Sequence, residues 1–170
     1  MLYYLLYQLD PEFARLFKVE ADFASRMDRD DHNQRLYARL IASMVKKHEL
    51  QPFDREAVAR VIERSARLAG DSEKLSVERE EIKDLLREAN HWAKENGRDV
   101  VAVEDVQQAI EAQIYRADRI RERSQEAILR DTVLIDSEGE AVGQVNGLSV
   151  LMLGNFAFGR PTRITARVRM

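Results

Sequence analysis

The chain has no cysteine among its 170 residues. That excludes disulfides, thiolate metal sites and a cysteine nucleophile, and it suits a reducing compartment. Proline is scarce, with Pro11, Pro52 and Pro161 alone, so little interrupts helix formation. No apolar run approaches the roughly 20 residues that a membrane-spanning helix needs. The start, MLYYLLYQLD, is apolar but has neither a basic leader nor a small-residue cleavage site, and is not read as a signal peptide. Charge of one sign is also lacking. Twenty-seven basic residues stand against 30 acidic ones, a net of −3, so no bulk field draws the chain to nucleic acid or to an anionic membrane. There is no glycine-rich loop followed by Lys-Ser or Lys-Thr, so nothing here cradles a triphosphate.

Glycine is scarce where helices are expected and concentrated where they are not. Five of the seven glycines fall between Gly139 and Gly159, among Val, Leu, Ile and Thr, which is strand-and-turn punctuation. Residues 29–130 read instead as successive helices. Leu2 to Leu9 forms a short helix, and Pro11 sits in the first turn of the next, PEFARLF, with Asp10 as its N-cap. Lys18 to Phe23 alternates and reads as a strand. The charged run Arg26 to Asp31 reads as a linker or helix start.

A first bundle helix spans about Asp30 to His48, with Leu36, Tyr37, Leu40, Ile41, Met44 and Val45 at helical spacing. Asp54 caps a second, with Val58, Val61, Ile62 and Ala66 inward, and Gly70 stops it. Ser76 caps a third, whose apolar face is Ile82, Leu85, Leu86, Ala89, Trp92 and Ala93, and Gly97 closes it. Val100 to Val103 is extended. A fourth helix starts near Glu104 and runs to Arg130, striped by Val106, Ala109, Ile110, Ile114, Ala117 and Ile120. Four amphipathic helices with short connections make a small bundle. Beyond it, TVLID and EAVGQV pair as a hairpin around Asp136–Gly139, Asn146-Gly147 marks a further turn, and Ser149 to Leu153 and Thr162 to Val168 are strands.

Candidate chemistry is sparse. His32, His48 and His91 lie on three different helices without the i, i+4 spacing of a zinc pair, so no metal site is expected. Ser25, Ser72, Ser76 and Ser137 sit at turns or caps, and Ser149 lies in a strand with no base nearby. No catalytic residue is assigned. The fourth helix is rich in arginine, at 116, 119, 121, 123 and 130. Asp118, Glu122, Glu126 and Asp131 interleave, and five arginines against four acids leave +1 over residues 115–131, an exposed charge-laced surface.

Several segments, in order, carry a resemblance. YYLLYQLDPEFARLFKVEADF, EKLSVEREEIKDLLREANHWA, VEDVQQAI, VGQVNGLSV and FGRPTRITARV are similar to the Lon-like ATP-dependent serine proteases, in their bacterial LonB-like branch. The resemblance implies a mainly α chain with a small β part. Residues 1–25 would be the C-terminal remnant of an ATPase α/β core, with Lys18 to Phe23 as its last strand. Residues 26–130 would be the helical AAA+ lid, and 131–170 the first strands of a Lon-type peptidase domain. It implies an abrupt segment of a longer chain, whose Ser–Lys dyad lies beyond Met170. The parent would use ATP and Mg to unfold and cut protein substrates in a cytoplasmic homo-oligomer, a hexamer. The segment alone would bind no nucleotide tightly and be inactive.

By the same resemblance Arg15 is a possible arginine finger, offset by about one residue from where related ATPases carry one. Arg79 is a possible sensor 2 arginine. Glu78 stands at the expected position, and since there are 3.6 residues per turn a one-residue shift turns a side chain by about 100°. Arg87 is the other arginine to which that role could have moved. Tyr3, Tyr4, Leu5, Leu6 and Tyr7 would pack on the ATPase core. The fourth helix would be a rigid connector carrying lid rotation to the peptidase. A reading from another class remains: a non-enzymatic helical adaptor that binds a protein or nucleic acid.

Overall fold

The computed structural model describes residues 2–153 and 156–168. It is mainly helical, with two small antiparallel sheets. Helix α1 spans Leu2–Leu9 and is followed by a single turn, α2, Phe13–Leu16. Asp10 does not cap α2 directly. Its Oδ1 accepts from the Glu12 N–H at 2.9 Å, an Asx-type turn that leads into the helix. The rings of Tyr3, Phe13 and Phe17 form a chain of aromatic contacts, with centroids 5.5 and 4.8 Å apart.

The strand expected over Lys18 to Phe23 is not formed. Alternation alone cannot satisfy a strand's backbone groups, and this stretch has no partner to pair with. Val19 and Phe23 are exposed. The charged stretch after it supplies a strand instead. β1, Arg26–Asp28, pairs antiparallel with β2, Lys74–Ser76, and sets Met27 opposite Leu75. Leu75 is fully buried and Met27 packs on the core, so burial rather than strand propensity decides the pairing.

Helix α3, Asp31–Lys47, begins as the sequence indicates. Asp30 Oδ1 accepts from the Asn33 N–H at 2.7 Å. Helix α4, Arg55–Ala69, has the same device, Asp54 accepting from the Ala57 N–H at 2.7 Å. It ends at Gly70 with φ 67°, the left-handed C-terminal conformation that glycine adopts without strain. Helix α5, Arg79–Glu95, starts three residues after its expected cap, because Ser76 is held in β2. Ser76 Oγ nonetheless accepts from the Glu78 N–H at 3.2 Å.

The long fourth helix is two. α6, Val103–Ala117, and α7, Arg119–Leu129, meet at Asp118. There the Asp118 N–H bonds to the Tyr115 carbonyl at 3.3 Å, a tightened i to i−3 turn. The Asp118 carboxylate is buried and pairs with Arg121.

The core lies between α3, α4, α5 and α6. Ile41, Val61, Ile82, Leu85, Leu86, Val101, Val106 and Ala109 are essentially inaccessible. Each such aliphatic residue contributes about 1.5–3 kcal/mol when buried. The two interhelical connections are tied by a parallel bridge between Phe53 and Val101. The Asp54 N–H donates to the Val101 carbonyl and the Val101 N–H to the Pro52 carbonyl, at 3.0 and 2.8 Å.

The β part differs from expectation in register. Residues 132–143 form no strand, and Asn146-Gly147 lies inside one rather than at a turn. β3, Gln144–Leu153, and β4, Phe156–Thr165, form one long antiparallel ribbon that sets Asn146 opposite Arg163 and Gly147 opposite Thr162. Ten paired positions satisfy more backbone groups than the short hairpin expected around residue 138 could. Residues 132–143 are fastened to the ribbon by side chains. Asn146 Nδ2 donates to the Asp136 carbonyl, and Arg163 pairs with the Asp136 carboxylate, both at 2.7 Å. β4 packs against α7, and Phe158 is its buried large side chain. Among the described residues, no helix is long and apolar enough to cross a membrane.

Candidate functional site

The start of α5 is the best-built feature on which a candidate residue sits. β2 feeds directly into it, and the junction is anchored from three elements. The Tyr37 hydroxyl on α3 donates to the Ser76 carbonyl at 2.9 Å, and Ser65 Oγ on α4 donates to the same oxygen at 3.2 Å. The Val77 N–H donates to the Ser25 carbonyl at 3.1 Å. Tyr37, Ser65 and Ser76 are all buried, so these bonds are sheltered from water. Burial pushes the Tyr37 phenol up, and the Ser65 hydroxyl partly offsets this.

Arg79 is the first residue of α5 and is exposed. A guanidinium there faces the positive end of the helix dipole, a placement that gains nothing from the dipole. Glu80 and Glu81 follow it, and Glu80 pairs with Lys83. That hydrogen bond and the Lys83 charge hold the Glu80 carboxyl below its usual range. Arg15 lies in the last turn of α2, also exposed. Among the described residues neither the Arg15 nor the Arg79 guanidinium makes a hydrogen bond or ion pair, and the structure does not bring the two together. Arg87, further along α5, is exposed in the same way.

Beside the start of α5 lies a cleft of about 260 Å³ that the sequence reading missed. Arg64 and Leu68 of α4, Glu81, Asp84 and Leu85 of α5, Gln113, Ile114 and Ala117 of α6, and Phe156 of β4 line it. Arg64 is half-buried and, among the described residues, has no hydrogen-bond or ion-pair partner. Burial pushes its guanidinium down, Arg60 adds to this, and Glu81 opposes it. The available signal was Arg64's place three residues after Val61 and four before Leu68, at the margin of α4's apolar stripe.

A second node fixes the α5–α6 turn. Asp105 of α6 is fully buried and accepts from the Ala102 N–H, Asn96 Nδ2 and Arg98 Nη1, at 3.0, 3.0 and 2.7 Å. Burial alone would push its carboxyl up. The three donors outweigh that and hold it below the usual range. Gln51 and Asn90 close the other side, the Gln51 N–H donating to Asn90 Oδ1 at 2.8 Å.

Among the described residues no cluster of three His, Cys, Asp or Glu side chains could hold a metal ion. What the arrangement offers the two candidate arginines is an exposed position for each and a rigid mount beneath Arg79.

Comparison with known proteins bears on what that mount serves. The family described as "Archaeal LonB, AAA+ ATPase LID domain" matches residues 52–116. The family described as "LonB-like, AAA domain" matches residues 1–24. The archaeal Lon protease of Archaeoglobus fulgidus is 35% identical over 130 residues, which are 73% of this chain and 20% of that protein. The putative Lon protease homolog of Escherichia coli is 26% identical over 167 residues, 96% of this chain and 28% of that protein. The archaeal Lon protease of Thermoplasma acidophilum is 33% identical over 126 residues, 74% of this chain and 19% of that protein. The chain thus spans between 19% and 28% of the length of these relatives.

Proposed function

This chain belongs to the Lon-like proteins of the LonB-like group, and we propose that it is the part of an ATP-dependent serine endopeptidase that joins the ATPase to the peptidase. Residues 1–25 end the ATPase core, 26–130 are the lid, and 131–170 open the peptidase domain. One observation carries the reading: the lid family matches residues 52–116, which fold here into the greater part of a four-helix bundle with its own core. The relatives' printed names, archaeal Lon protease and Lon protease homolog, supply the activity.

In this reading ATP is the substrate of the longer protein, and the chain's own contribution is positioning. Arg79, mounted at the start of α5, reaches a bound nucleotide's phosphates as sensor 2. Arg15 serves the neighbouring subunit of a hexameric ring as the arginine finger, where a cation stabilises charge that develops in phosphoryl transfer. No residue of this chain cuts peptides, and the dyad is supplied elsewhere. Magnesium would be held by residues outside this chain. Protein chains are the substrates, and the assembly works in the cytoplasm.

The adaptor reading has no specific observation in its favour. The longer protein assayed for ATP-stimulated cleavage of an unfolded substrate tests the proposal. Cleavage that needs ATP is expected, and a protein that neither hydrolyses ATP nor cleaves would reject it.

A further inference from the structure

Phe156 is the first residue of β4 at the ribbon's tip, half-buried in the wall of the Arg64 cleft and stacked on Phe158 with centroids 5.6 Å apart. The far side of the cleft is the first two turns of α5. Arg79 opens that helix, and Glu81, Asp84 and Leu85 line the cleft. At 1.5 Å of rise per residue, Arg79 and Asp84 are about 7.5 Å apart along one rigid helix. Any displacement of the helix start is therefore delivered to the cleft wall with little loss.

We infer that the cleft is the seat of Phe156, which there forms a further mechanical link between lid and ribbon, beside the covalent path through α7 and the packing of β4 on α7. Three observations carry this. Leu68 and Leu85 give the seat an apolar floor suited to an aromatic ring. The ribbon's outward face, with Leu148, Val150 and Met152 exposed, is not covered, whereas Phe156 at its tip meets α4, α5 and α6. Arg64, half-buried beside Glu81 and Asp84 with no partner among the described residues, gives the apolar seat a charged rim. The seat holds the tip in one arrangement of α5 and releases it when α5's start is displaced. The occupant is this chain's own Phe156. The nucleotide dependence of the seat rests on the proposed function, whereas the seat itself does not.

The test uses Phe156→benzoylphenylalanine, which keeps an aromatic ring at the tip, with Leu148→benzoylphenylalanine on the exposed face as the control. Irradiation of the 170-residue chain is expected to join position 156 to peptides of α4, α5 or α6 around Leu68, Leu85 and Ile114, and position 148 to none of them. Equal or absent joining from position 156 overturns the seat. In the longer protein the yield is expected to differ at least about threefold between an ATP analogue and ADP, as a shift between two arrangements requires. Equal yields in a protein that hydrolyses ATP overturn the coupling while leaving the function in place. Absence of hydrolysis in the unaltered protein counts against the function instead, and the result from the 170-residue chain still decides the seat.

Discussion

Arg98 Nη1 donates to Asp105 Oδ1 at 2.7 Å across the α5–α6 turn, a pairing of a partly exposed cation with a fully buried carboxylate. With the Ala102 N–H and Asn96 completing the set, the buried charge has a donor on every accessible side. Such a group is costly to disturb from either side, because losing Asp105 strands its donors and losing Arg98 leaves a buried carboxylate without its cation.

Asp105→Ala is accordingly expected to destabilise the bundle by about 3 kcal/mol, since it strands two donors and empties the turn. Arg98→Ala, which leaves the buried carboxylate with two neutral donors and no cation, is expected to destabilise the bundle as well. Urea denaturation of the two variants measures both. The pH dependence has a definite sign. The folded carboxyl lies below its unfolded value, so its stabilisation is present above pH about 4 and lost as pH falls below that. The stability gap between the natural chain and Asp105→Asn should therefore narrow on acidification.

Tyr37→Phe removes one of two donors to the Ser76 carbonyl and is expected to cost about 1 kcal/mol, with Ser65 still satisfying the oxygen. Burial raises the Tyr37 phenol, so the stability it brings is complete below pH about 10 and lost as pH rises through the folded value. The natural chain should weaken more steeply than Tyr37→Phe above that pH, as thermal melts across the alkaline range would record.

Gly143 precedes β3 with φ 73°, and a Cβ there would sit 2.7 Å from the Ala166 carbonyl oxygen. The Ala166 N–H donates to the Gly143 carbonyl at 2.8 Å, so backbone meets backbone at the ribbon's open end. Gly143→Ala should open that end. Amide exchange is expected to rise in residues 144–146 and 163–166 while protection in α4, α5 and α6 stays unchanged, because the bundle has its own core. Loss of protection in the bundle as well would show that the two parts fold as one unit.

The arginine roles make separable expectations in the longer protein. Arg15→Ala should bind ATP normally but hydrolyse it at least about 100-fold more slowly, the pattern for a cation that acts in the transition state. Arg79→Ala should weaken ATP binding itself. Titration with a fluorescent nucleotide and a phosphate-release assay distinguish the two. Neither variant should change the melting temperature of the 170-residue chain, since both side chains are exposed and neither guanidinium makes a hydrogen bond or ion pair among the described residues.

Local devices were legible in the sequence. Asp30, Asp54 and Gly70 act within four residues of themselves, and each lies where the pattern of apolar spacing puts a helix end. The mainly α chain with a small β part followed from the same patterns. What failed depended on partners distant in sequence. β1 and β2 are three residues each, 46 positions apart in the chain, and no local signal marks either. Ser76 was read as a cap because serine before a helix usually is one, but pairing with Arg26 claims its backbone first. Asn146-Gly147 has the composition of a turn, yet the register of β3 on β4 puts it mid-strand. The cleft was illegible for the same reason, since Arg64, Asp84 and Phe156 come from three elements that only the tertiary fold assembles.

The most direct measurement is of fluorescent casein cleavage by the longer protein, with ATP, with ADP and with no nucleotide. The account expects release that depends on ATP, lost when Arg15→Ala stops hydrolysis, and no release from the 170-residue chain under any condition. Cleavage by the 170-residue chain alone, or cleavage by the longer protein that is indifferent to ATP, would contradict it.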